Sequence, residues 1–217
     1  MNHISDDMIR SVRRRIKSGV LSFACFVVSG CSEATEPQIP LFELQSSFES
    51  GLEGWTVNAT DLIVGGAEIP WWIRPSTGQA FEGSGALELY MANYTDAAKI
   101  WIVRSIDVPP SSPYRVTISY VFATKDWGDV NNFVVISGAA NFEPHTIAGD
   151  QSPPLVRGPT SNGASTDVGY RWVQKKVDVN VVSGADGRLY VVVGVWGTWE
   201  TERTYYVDAV HVQVYPR

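Results

Sequence analysis

From Phe42 onward apolar and polar residues alternate, and no window of about a dozen residues keeps the 3.6-residue spacing of an amphipathic helix. In Tyr114–Phe122 the residues Tyr114, Val116, Ile118, Tyr120 and Phe122 fall on one face, with Arg115, Thr117 and Ser119 on the other, which predicts a half-buried strand. The β-branched and aromatic runs Arg188–Trp196 and Thr204–Val214 predict two more strands, and the turn-like Gly197–Arg203 between them predicts an antiparallel hairpin. Further strands are predicted at Phe42–Phe48, Trp55–Val57, Trp71–Ile73, Ala86–Met91, Ala97–Val108, Asn131–Ile136 and Tyr170–Val181. An all-β chain with this many short strands predicts two antiparallel sheets packed as a β-sandwich. Ser137–Gly169 breaks the rhythm with five Gly and four Pro in 33 residues, and predicts either a loop over a binding face or a passive surface insertion.

The N-terminus follows other rules. Basic residues Arg10, Arg13, Arg14, Arg15 and Lys17 precede the apolar run Gly19–Val28, which is too short to span a bilayer and ends in small residues, the order of a secretory signal. Val28-Ser29-Gly30-Cys31 resembles the lipobox of bacterial lipoproteins. That resemblance implies cleavage before Cys31 and acylation of its thiol. An ordinary signal peptide or an uncleaved anchor helix would share the apolar run, but the polar, Pro-containing Ser32–Pro40 that follows suits a tether. The expected organisation is a signal peptide over residues 1–30, a lipidated Cys31 and flexible tether over 31–40, and a sandwich domain over 41–217. With Ser32 rather than Asp after the cysteine, the resemblance implies an outer-membrane anchor in a bacterial cell envelope.

The first 30 residues hold five of the 17 Lys+Arg and two of the 23 Asp+Glu, so the remaining chain has 12 basic against 21 acidic residues, a net charge of −9. Such a chain is ill suited to nucleic acid or anionic lipid. Cys25 lies in the apolar run and Cys31 is the acylation site, so the domain must be held by its core without disulfides.

Phe48–Trp55 near the start, Gly83-Ser84-Gly85-Ala86-Leu87-Glu88-Leu89 later and Tyr205-Tyr206-Val207-Asp208-Ala209-Val210 near the end are similar to the pattern of jelly-roll domains of the galactose-binding-like superfold, which includes many carbohydrate-binding modules. The resemblance covers about Phe42–Tyr215 and implies a jelly-roll sandwich. It further implies a structural calcium held by Glu49, Asp208 and the loop carrying Glu82, Gly83 and Ser84. The residue chemistry asks for partners there in any case, because Glu49 and Asp208 adjoin the core residues Phe48 and Val207.

All eight tryptophans lie beyond residue 40. Aromatic planes stack on the apolar faces of sugars while neighbouring polar side chains bond the hydroxyls, so location sorts the candidates. Trp55 is expected to cover the core edge, and Trp101 and Trp172 are expected in the core. In Trp71-Trp72 successive side chains point to opposite faces, so one can face the core and leave the other free. Trp127 and Trp199 sit among polar loop residues. Candidate ligand contacts are therefore Trp72, Trp127 and Trp199, with Arg74, Asn131 and Asn132 as hydrogen-bonding neighbours.

His145 and His211 have no partner motif, and no nucleophile elbow, zinc-protease motif or phosphate loop occurs. The sequence thus predicts a noncatalytic envelope lipoprotein that binds a glycan through one jelly-roll domain. The alternative is a structural or assembly lipoprotein whose sandwich contacts another envelope protein and has no sugar site.

Overall fold

The computed structural model describes residues 38–94, 97–124, 133–145, 155–157, 171–197 and 201–217. No helix occurs among them. Thirteen strands do: β1 (Phe42–Ser46), β2 (Thr56–Thr60), β3 (Ile63–Val64), β4 (Ala67–Glu68), β5 (Trp71–Ser76), β6 (Ala86–Asn93), β7 (Lys99–Asp107), β8 (Pro113–Thr124), β9 (Phe133–Ala140), β10 (Leu155–Arg157), β11 (Val173–Val182), β12 (Arg188–Gly197) and β13 (Thr201–Pro216). Every expected strand is present. The short pair β3 and β4 and the strand β10 were not foreseen, being too short to show a period.

The strands form an antiparallel jelly-roll sandwich. One sheet has the order β11-β8-β13-β6-β5, with β1 also paired to β13; the other runs β10-β9-β12-β7-β2. Between them lies the core, in which Leu87 and Leu89 of β6, Ile118 and Phe122 of β8, Val212 of β13, Ile100 and Ile102 of β7 and Val193 of β12 are buried together. Each such side chain contributes about 1.5–3 kcal/mol on leaving water. Trp55 seals one edge as expected, 2% exposed, with its indole N–H donated to Ser46 Oγ at 3.0 Å.

The expected hairpin between residues 188–196 and 204–214 is not formed. β12 pairs with β7 and β9 in one sheet, whereas β13 pairs with β6, β8 and β1 in the other. Each run has strand neighbours on both sides within its own sheet, β7 and β9 for β12, and β8 with first β6 and then β1 for β13. A terminal hairpin would leave one side of each without partners, so the chain crosses between the layers after Gly197.

Two other expectations change. Ser137–Gly169 is not structureless throughout, because Ser137–Ala140 belongs to β9 and Leu155–Arg157 pairs with it. Trp172 lies just before β11 and packs half-buried on the outside of the first sheet against Ala86, Ala123 and Tyr206, not in the main core. Trp101 is fully buried as expected, but on the outer face of the second sheet with Val103, Ile136 and Val192, since its neighbours Ile100 and Ile102 take the core side. Gly194, opposite Trp101 in register, provides the room: a Cβ there would lie 2.4 Å from the Trp101 Cβ.

Candidate functional site

β5 is an edge strand, and its alternation divides the Trp71-Trp72 pair as the sequence suggests. Trp71 packs on the core and donates its indole N–H to Glu68 at 2.6 Å, while Trp72 and Arg74 face outward. Register with β6 sets Trp72 beside Tyr90 and Arg74 beside Glu88. The Trp72 and Tyr90 rings stack with centroids 3.9 Å apart and planes 16° from parallel, and the Arg74 guanidinium carbon is 4.8 Å from the Trp72 ring centroid.

Glu88 organises this ledge. Its Oε1 accepts from Trp72 Nε1 at 2.7 Å and from Arg74 Nη2 at 2.8 Å and Nε at 3.1 Å. Its Oε2 accepts from Ser76 Oγ and Tyr206 OH, both at 3.1 Å. Burial alone would raise the Glu88 pKa, but the bonds from Trp72, Arg74, Ser76 and Tyr206 outweigh it and hold the carboxyl below the usual range. A carboxylate bonded on both oxygens fixes the rotamers around it. Trp72 and Arg74 are thus pre-positioned, and the Arg74 side chain remains 60% exposed. Below the ledge, a cleft of about 450 Å³ runs between Arg74–Thr77 and the turns at Phe48–Glu49 and Ser84–Gly85.

The acidic residues singled out in the sequence meet at a neighbouring point. β13 changes partner here: residues 201–207 pair with β6 and 210–214 with β1, with a bulge after Asp208 where Ala209 adopts φ 50°. The Asp208 carboxylate, 0% exposed, fills the gap. It accepts from Phe81 N at 2.9 Å, Glu82 N at 3.2 Å and Ala209 N at 2.7 Å. Glu49 grips the same loop one turn on, accepting from Ser84 N at 2.8 Å, Ser84 Oγ at 2.7 Å and Gly85 N at 2.9 Å; the Ser84 hydroxyl first, then the two backbone N–H groups, hold its pKa down. Gly83, at φ 61°, lies so close that a Cβ would stand 2.2 Å from Glu49 Oε1.

Glu49, Asp208 and the 81–85 loop are therefore brought together, yet the carboxylates face N–H and O–H donors. The N–H and O–H hydrogens take up the carboxylate lone pairs and set positive charge where a cation would have to sit, and calcium asks for six to eight oxygen ligands. As arranged, this donor set does not fit calcium. Among the described residues no three His, Cys, Asp or Glu side chains gather as metal ligands. Glu82 lines a separate cavity of about 340 Å³ with Gln45, Ser46, Ser47 and His211. Half-buried His211 is within 2.6 Å of Glu43 Oε1, and exposed His145 lies beyond β9.

Of the other candidates, Cys31, Trp127, Asn131, Asn132 and Trp199 lie outside the described residues. Sequence reasoning missed Tyr90, Glu88, Ser76 and Tyr206. The signal available for Glu88 was its place between Leu87 and Leu89, which turns it outward; its meeting with Arg74 depends on a cross-strand register that no local pattern encodes.

The chain matches no protein-family model and no curated protein sequence. It is similar to several solved structures. The family 61 carbohydrate-binding module TmCBM61, determined with beta-1,4-galactotriose, is 12% identical with a TM-score of 0.44, over 79% of this chain and 94% of that one. The CBM22-1 xylan-binding domain from Paenibacillus barcinonensis Xyn10C is 15% identical with a TM-score of 0.46, over 83% and 99%. A cleaved adhesin domain of Lys-gingipain from Porphyromonas gingivalis is 13% identical with a TM-score of 0.48, over 79% and 98%.

Proposed function

We propose that the domain binds a neutral saccharide without catalysis, at the Trp72–Arg74 ledge and the cleft beside it, and that acylation of Cys31 carries it on the outer membrane of a bacterial cell envelope. The observation that supports this most is the fixed outward ledge: an indole stacked on a phenol ring, a guanidinium beside them, and one carboxylate bonding both Trp72 and Arg74. A pyranose offers an apolar C–H face and equatorial hydroxyls, and such a ledge answers both. Arg74 commits Nε and Nη2 to Glu88, which leaves the N–H groups of Nη1 for a ligand. Pre-organisation matters because the hydroxyls of a sugar gain little over water unless their partners are already in place. The cleft's size lies in the range of small-ligand sites.

The test is a neutral-glycan array probed with the full chain, followed by calorimetry on each hit. Trp72→Ala and Arg74→Ala are each expected to weaken binding about tenfold or more. A silent array, or a hit whose affinity neither variant changes, refutes the assignment.

A further inference from the structure

The second sheet carries a cavity of about 310 Å³ at the far end of β7 and β12, with a composition unlike the rest of this acidic chain. Arg104 and Arg188 flank it, Tyr190 and Ser105 line it as register partners, and Thr56 and Glu143 complete the wall. β2 pairs with β7 only as far as Val103, so among the described residues the β7 edge from Arg104 onward has a strand neighbour on one side only. That edge forms the mouth.

Arg104 is built into the wall. It is half-buried, and its Nη1 donates to the Glu53 carbonyl at 2.8 Å. Gly54 makes this possible: at φ 81° it holds a conformation that favours glycine, and a Cβ there would stand 1.5 Å from Arg104 Nη1. Four of the five guanidinium N–H groups remain uncommitted among the described residues. Arg188 is 53% exposed, within bonding reach of Tyr190, and only 3.7 Å from an Asp107 that is itself 90% exposed, a contact worth little in water. Two guanidinium groups thus border one small cavity, with Glu143 on its lip and the carboxylates of Asp107 and Asp186 beside Arg188 on the solvent side.

We infer that this cavity binds an anionic saccharide unit, its carboxylate or sulfate held by Arg104 and Arg188. Planar guanidinium forks bond such oxyanions on two oxygens at once. The Tyr190 ring then meets the sugar face, and Ser105, Thr56 and Glu143 meet hydroxyls, Glu143 accepting. The inference rests on the reading of the domain as a glycan binder, but on a different site from the ledge.

Calorimetry on the full chain decides it, with galacturonate and mannuronate trisaccharides as carboxylate probes, a heparin-derived disaccharide as the sulfate probe, and the neutral glycan found for the ledge. At least one anionic probe is expected to bind, and to weaken about tenfold in Arg104→Gln and in Arg188→Gln. It is also expected to weaken as salt rises from about 20 to about 200 mM. Trp72→Ala should leave it unchanged. Which probe binds identifies carboxylate or sulfate as the group held. No binding by any anionic probe overturns the inference, as does undiminished binding in Arg188→Gln, whose exposed side chain can be changed without unfolding the domain. Anion binding abolished by Trp72→Ala also overturns it, by placing the ligand on the ledge. Anion binding that is lost in Arg188→Gln while no neutral glycan binds upholds the cavity and refutes only the ledge.

Discussion

Glu88 shows how much one side chain can organise. Five hydrogen bonds converge on a carboxyl that is 7% exposed, from Trp72, Arg74, Ser76 and Tyr206. Because its folded pKa is lowered, it contributes stability that is present above the unfolded carboxylate value, about 4.3, and lost as pH falls through the lower folded value. Glu88→Gln removes the charge but not the shape. Thermal melts from neutral pH to about pH 3 should show a shallower acid limb in the variant, with a loss of about 1–3 kcal/mol at neutral pH. An acid limb as steep as in the parent chain would mean that other carboxyls set the pH dependence. The sequence points to Trp72 by strand parity and to Arg74 as its polar neighbour, and misses the carboxyl that holds them, because parity tells which face a residue takes and not what stands opposite.

At the scale of elements, the bulge in β13 has the largest structural consequence. It lets a single strand pair with β6 and then with β1, and the Asp208 carboxylate closes the resulting gap with three backbone N–H bonds. Truncating Asp208 to Ala leaves those three part-buried donors without their acceptor, so a loss of about 1–3 kcal/mol is expected, and Asp208→Asn, which keeps one acceptor oxygen, should lose less. The same arrangement predicts indifference to metal. A calcium ion held at 100 times its dissociation constant would add about 2.7 kcal/mol, or roughly 5–10 °C in Tm for a domain of this size. Melts with EDTA and with added calcium should coincide instead; a fall with EDTA that calcium reverses would show that the loop reopens around a cation. The motifs Gly83–Leu89 and Tyr205–Val210 were legible as markers of the fold, and their proximity is real. What they hold between them was not legible, since carboxylates suit N–H groups and cations equally until the loop's orientation is known. The hairpin expected of β12 and β13 failed for a related reason: adjacency in sequence and a turn-like linker describe hairpins and layer crossings alike.

For the whole molecule, the sandwich is closed by its ends. β1 pairs with the last stretch of β13, joining Phe42–Ser46 to Val210–Val214, and the described chain contains no disulfide to share that duty. Val210, Val212 and Val214 are at most 1% exposed, and β8 relies on the same stretch from Pro216 back to His211. Deleting residues 210–217 would expose these three valines' packing partners and leave β1 with no strand beside it. At about 1.5–3 kcal/mol for each buried valine, before the packing of Phe42 and Leu44 is counted, the loss is about 5–9 kcal/mol. Net stabilities of single domains are about 5–15 kcal/mol, so most or all of the margin goes. The shortened chain is expected to lose its cooperative melt and its resistance to protease, whereas Val212→Ala, which leaves the backbone ladder intact, should melt cooperatively at a lower temperature. Should the deletion instead melt cooperatively near the parent temperature, the two ends would be an ornament on a core that closes without them, and the Asp208 clasp, at the hinge between β6 and β1, would have to secure β13 unaided.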